Sequence, residues 1–227
     1  MKIFFRTTSN QAGKFRPEWF SYKNCFDNFL NEFKDDDVTI FFDGDSTSHF
    51  VNESGVKIVN IKGGSETKSF LKLVDYIREQ DYKDDEIIYI VEDDYLHKEG
   101  ASKVLKEAFD QFPNAYYVTL YDHNDKYMPG YYDVYAPNFP IQLLVSKSAH
   151  WRTTPSTTNT FATRFKTLKE DIDIHKEFSS PEKKTSDDHF KFISLWNKGR
   201  SLISCIPGYS THVENALMSP TIDWENV

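Results

Sequence analysis

The chain has 227 residues, of which 39% are hydrophobic and 27% charged, a balance that suits a soluble globular protein with one core of ordinary size. Its formal net charge of −8 argues against nucleic acid as a partner, because affinity for phosphate backbones is carried by clustered Lys and Arg. No apolar run approaches the roughly 20 residues that a membrane span needs, so no transmembrane segment is expected.

The opening MKIFFRTTSNQAGKF holds too short an apolar stretch for a secretory signal, and Ile3 to Phe5 looks like a first strand, so a cytoplasmic location is expected. Residues 1 to 125 then alternate short β-rich runs (KIFFRT, VTIFFD, VKIVNI, EIIYIVE, AYYVTLY) with helical segments at 17–34, 65–80 and 99–112. That grammar predicts an α/β fold with a mainly parallel central sheet flanked by helices. Trp19, Tyr22, Phe26, Phe29, Leu30 and Phe33 recur at three- and four-residue steps, as do Phe70, Val74 and Ile77, so both stripes should face the sheet. Pro17 and Ser65, with Glu66 after it, are the start signals. No repeat or linker divides the chain, which is expected to form one domain.

After residue 125 the alternation stops. DKYMPGYYDVYAPNFP is an aromatic loop, IQLLVS a strand, and HWRTTPSTTNTFATR a polar segment; this half, 126 to 227, is expected to be antiparallel and loop-rich. SDDHFKFISLWNKG predicts a helix capped by Ser186 and closed by Gly199, with Phe190, Ile193 and Trp196 on one face. Cys25 and Cys205 fit neither a disulfide framework nor a thiolate metal site and are expected to be buried.

Ligands of parallel sheets bind at the carboxyl ends of strands, where the run EIIYIVEDDYLH places Glu92, Asp93 and Asp94. Alternation sends Glu92 and Asp94 to one side and Asp93 to the other, and two carboxylates on one side suit a hard divalent cation. IKGGSETKSF lacks both Gly-rich phosphate-loop patterns, which disfavours a nucleotide triphosphatase. Lys68 there is either within reach of a diphosphate or a plain surface lysine. GYSTHVEN misses the hydrolase elbow because His212 stands at its last Gly position.

On the EDD turn after an apolar strand, the acids of SDDHF and the late His212, the chain resembles GT-A fold glycosyltransferases, in particular compact inverting enzymes of the family 2 type. The resemblance implies a nucleotide-sugar donor, a UDP-sugar first among them, and a glycan or other hydroxyl acceptor. It implies Mn²⁺ or Mg²⁺ held by Asp94 and His212 with Glu92 as helper, and a donor site containing Arg6, Thr8, Asp43, Lys68, Glu92 and Asp93. It points to Asp188 as general base, with Asp187 in reserve because the register is open. Asp43 of FFDGD fits a base or ribose contact and a tight turn equally. Loop 127 to 140 and segment 150 to 164 are the expected acceptor contacts. Rivals are a retaining glycosyltransferase, a carbohydrate-binding module without catalysis, and a sugar-phosphate nucleotidyltransferase, whose Gly-rich basic loop is matched here only by Gly13 in FRTTSNQAGKF.

Overall fold

The computed structural model describes residues 1–11, 13–128, 130, 139–155, 157–183 and 185–227. Eleven strands are β1 (Lys2–Thr8), β2 (Asp37–Asp43), β3 (Lys57–Ile61), β4 (Ile87–Glu92), β5 (Tyr95–His97), β6 (Ala115–Thr119), β7 (Leu143–Val145), β8 (His150–Thr153), β9 (Phe161–Arg164), β10 (Ser201–Ile206) and β11 (Ser210–His212) among the described residues. Helices are α1 (Tyr22–Glu32), α2 (Glu66–Arg78), α3 (Ala101–Gln111), α4 (Phe165–Glu170), α5 (Ile172–Phe178) and α6 (Asp188–Asn197).

Nine strands form one sheet in the order β3-β2-β1-β4-β9-β6-β10-β8-β7, so both halves of the chain contribute to it. The strands β1 to β4 pair in parallel, β6 pairs in parallel with β10, and β9 is inserted antiparallel between β4 and β6. Consecutive side chains point to opposite faces, so Phe5, Ile40, Phe42 and Val91 pack under α1 and α3 with Phe26, Phe29 and Leu105. Phe4, Phe41, Ile88 and Ile90 pack on the other face with Phe70, Leu73, Val74 and Ile77 of α2 and with Phe192 and Leu195 of α6. Burial on both faces explains why these strands are written as unbroken apolar runs.

Helix α2 starts at Ser65 as expected, whose hydroxyl accepts from the Lys68 amide. Helix α1 starts later than Pro17 implied: Ser21 is its cap and Pro17 only closes a turn with Phe20. Helix α6 is capped by Asp187 rather than Ser186, and its buried side chains are Lys191, Phe192 and Leu195, while Phe190 is 54% exposed. Both α4 and α5 fall where only strands and loops were expected. Cys25 and Cys205 are free and buried. Most of the aromatic loop 127 to 140 expected to touch an acceptor (129 and 131–138) lies outside the described residues. Among those described, no helix is long and apolar enough to cross a membrane.

Candidate active site

Strand β4 ends at Glu92, and the chain turns through Asp93 and Asp94 into β5, which pairs antiparallel with β11 so that Tyr95 faces His212. That small two-stranded sheet is what carries the late histidine to the acid turn. His212 Nε2 lies 3.0 Å from Asp94 Oδ2. The three acids then diverge: Glu92 accepts from Arg6 Nη1 at 3.3 Å, and Asp93 accepts from the Thr7 hydroxyl at 2.7 Å.

Two basic side chains that the sequence reading did not single out complete the turn. Lys14 Nζ is 2.8 Å from Asp94 Oδ2 and 3.0 Å from His212 Nε2, and Arg16 Nη2 is 2.5 Å from the same carboxylate oxygen. Burial disfavours charge on all three acids, but His212, Lys14 and Arg16 hold the Asp94 carboxyl well below the usual range. Glu92 and Asp93 are pushed up to about 7 by burial, with the charge of Asp94 adding to it. Mutual repulsion is thus relieved by one firmly ionised acid with two cations and two acids that hold their protons more readily.

A divalent ion needs more than this turn offers. Of the three expected ligands Asp94 and His212 meet, whereas Glu92 is turned to Arg6, and among the described residues no group of three His, Cys, Asp or Glu is placed to hold a metal. Asp94 Oδ1 is buried and unpartnered, yet Asp94 Oδ2 and His212 Nε2 both lie within 3.0 Å of the Lys14 ammonium. The donor set does not fit a resident divalent cation.

A second constellation lies beside the turn. Arg6, at the end of β1 and 6% exposed, also donates to Glu66 Oε1 at 3.2 Å and stacks over Phe70. Glu66 in addition accepts from Asn159 Nδ2 at 2.7 Å and from the Ser186 amide at 2.7 Å. Asn159 accepts from the fully buried Lys191, whose ammonium is 2.8 Å from Asp188 Oδ1. An unbroken chain, Glu92–Arg6–Glu66–Asn159–Lys191–Asp188, therefore joins the acid turn to the start of α6. Burial raises the Asp188 carboxyl above its ordinary value, opposed by Lys191. Asp187, by contrast, spends its Oδ1 on the Phe190 amide as helix cap.

The other expected donor contacts are engaged differently. Each oxygen of Asp43 accepts from the loop after β3, Oδ1 from the Gly63 amide at 2.7 Å and Oδ2 from the Gly64 amide at 2.8 Å. The Thr8 hydroxyl donates to the Asp43 carbonyl at 2.9 Å, and Lys68 is exposed on α2. In the polar segment 150–164, Thr157, Asn159 and Thr160 are buried, and Thr160 accepts from the Glu92 amide at 3.2 Å, so much of this run buttresses the turn.

No known family matches the sequence, and no curated protein does. Solved structures with a similar fold do exist. Over 92% of this chain the fold matches TarS 1–349 of S. aureus, with a TM-score of 0.53 at 15% identity. The chain has the GT-A fold. It spans 60% of that TarS fragment. The galactosyltransferase LgtC, determined with donor and acceptor sugar analogues, is a second GT-A likeness at TM-score 0.50 and 8% identity, over 89% of this chain and 73% of LgtC. A CMP-2-keto-3-deoxy-manno-octonic acid synthetase complexed with CTP is similar at TM-score 0.50 and 13% identity, over 92% of each chain. Likeness at these identities shows the fold alone, and a fold of this kind carries more than one activity.

Proposed function

We propose that the chain is a glycosyltransferase that moves a sugar from a nucleoside-diphosphate donor to a hydroxyl acceptor with inversion at the anomeric carbon. The observation that carries this reading is the polar chain tying Asp188 to the acid turn at the carboxyl edge of β4. A carboxylate beside the ligand edge of the sheet, held by a buried ammonium rather than spent on a helix cap, is equipped to accept a proton.

In the reaction, the acceptor oxygen forms a bond to the anomeric carbon as its proton passes to a carboxylate oxygen of Asp188. The bond from that carbon to the diphosphate breaks, and its electron pair leaves with the nucleoside diphosphate. Lys191 keeps Asp188 oriented, and Arg6 ties Glu92 of the acid turn to Glu66. The product is a glycoside of opposite anomeric configuration.

The experiment is incubation with UDP-, GDP- and CMP-sugars and simple glycoside acceptors, reading product configuration by NMR. An inverted glycoside with release of the nucleotide supports the reading, and a retained configuration refutes inversion. A specific observation favours one rival: the synthetase matches this chain over 92% of both chains. Pyrophosphate release from a nucleoside triphosphate and a free sugar acid would favour that chemistry instead.

A further inference from the structure

Asp94 Oδ2, His212 Nε2 and Lys14 Nζ form a triangle with sides of 2.8, 3.0 and 3.0 Å. Lys14 Nζ, which has only donors, is within hydrogen-bond reach of both Asp94 Oδ2 and His212 Nε2. A carboxylate oxygen and an imidazole nitrogen thus both face one cation, as they would face a divalent ion.

Among Asp94, Lys14 and Arg16 the balance is positive, with Glu92 of the same turn adding negative charge near Lys14. Asp94 contributes one negative charge, and Lys14 and Arg16 contribute two positive ones. Arg16 is fixed: it also donates to the Val213 carbonyl, packs 4.6 Å from the Phe20 ring centroid, and is 10% exposed as a side chain. Lys14 is 37% exposed against 5% for Asp94, so the ammonium forms the open side of the group. With two of its three N–H bonds given to Asp94 and His212, one is left for an incoming oxygen anion.

We infer that Lys14, backed by Arg16, stands in the position of a divalent cation, so that a nucleoside diphosphate binds at this turn without metal. The inference rests on the glycosyltransferase reading for its place in the reaction: the negative charge that develops on the departing diphosphate forms beside the Lys14 ammonium, and no proton needs to leave Lys14. Asp94 and His212 then serve as positioning residues that hold the ammonium in place.

The test is calorimetric titration of the EDTA-treated chain with uridine, guanosine and cytidine diphosphates, repeated with Mn²⁺. Wild type should bind one of them with a dissociation constant that Mn²⁺ changes less than threefold and that weakens as salt rises. Lys14→Ala and Lys14→Gln, checked for an unchanged thermal unfolding transition, should weaken metal-free binding tenfold or more, while Lys14→Arg should retain most of it. Wild-type binding that requires Mn²⁺, or metal-free binding indifferent to Lys14, overturns the inference and leaves the glycosyltransferase reading standing. Absence of binding to every diphosphate under both conditions overturns that reading and this inference with it.

Discussion

Lys191 and Asp188 stand one turn apart on α6, with Nζ 2.8 Å from Oδ1, although the lysine side chain is fully buried and the aspartate is 23% exposed. The lysine opposes the effect of burial on the acid, and the acid helps offset the desolvation of the lysine. Asp188→Asn is expected to retain nucleotide binding and to lower transfer by about 10²- to 10⁴-fold, the usual range for removing a general base. Because Asp188 must be ionised to accept a proton, its raised pKa places the acid limb of kcat/KM above that of an ordinary aspartate. Lys191→Met removes an influence that lowers this pKa, so the limb should move to still higher pH; an unmoved limb would exclude Asp188 as the titrating base.

Glu66 is the hub between α2, the segment before β9 and the start of α6, with partners Arg6, Asn159 and Ser186. Glu66→Ala leaves the Arg6 guanidinium and the Asn159 amide short of an acceptor in a partly buried site. The expected loss is about 3 kcal/mol by urea denaturation, in line with hydrogen bonds to charged groups and stranded polar partners. Glu66→Gln keeps the shape and one acceptor oxygen, and should lose less than half of that. Equal losses in the two variants would mean that charge, and not shape, holds the hub.

The strands of the first half were legible because a sheet covered on both faces must be written as apolar runs, and their turns fell at Gly and Asp residues. Asp94 and His212 were foreseen from their places in the order of elements, and the structure brings them into contact. Glu66 was visible only as a helix start, since Asn159 and Ser186 lie 93 and 120 positions away and no local pattern encodes such pairings. Lys14 and Arg16 escaped for the same reason, meeting Asp94 across 80 and 78 positions. Their signal was a short basic cluster, GKFR, in the loop after β1 of an acidic chain. The face of α6 was misjudged because a buried lysine breaks the apolar periodicity that such a face normally shows.

The Asp43 turn makes a structural prediction. A Cβ on Gly63 would sit 2.7 Å from Asp43 Oδ2 and 3.0 Å from the Ser69 backbone, and backbone cannot swing aside. Gly63→Ala should therefore cost about 1–3 kcal/mol, typical of overpacking, and Asp43→Ala should lower the thermal midpoint with no ligand present. If Asp43→Ala left the midpoint unchanged and weakened only nucleotide binding, the carboxylate would belong to the donor site and not to the turn.

His97 gives a pH dependence that the wild-type curve conceals. Its ring is fully buried, edge-on to Phe33, with Nε2 2.8 Å from the Tyr89 hydroxyl, and burial lowers its pKa from 6.5 to about 3. The unfolded chain takes up a proton here below pH 6.5 while the folded chain does not, so His97 makes stability fall as pH drops through that window, by about 1.4 kcal/mol per pH unit. Glu92 and Asp93 act with the opposite sign: carboxyls raised to about 7 bind protons in the folded state first and favour folding as pH falls. The terms oppose one another between pH 7 and pH 5, which flattens the wild-type profile. His97→Gln keeps a polar partner for Tyr89 but has no proton to gain, so the difference isolates the histidine. The variant should be the less stable form at pH 8, and the gap in urea denaturation should close by about 2 kcal/mol between pH 6.5 and pH 5. A constant gap across that range would mean that the His97 ring is protonated in the folded chain as readily as in the unfolded one.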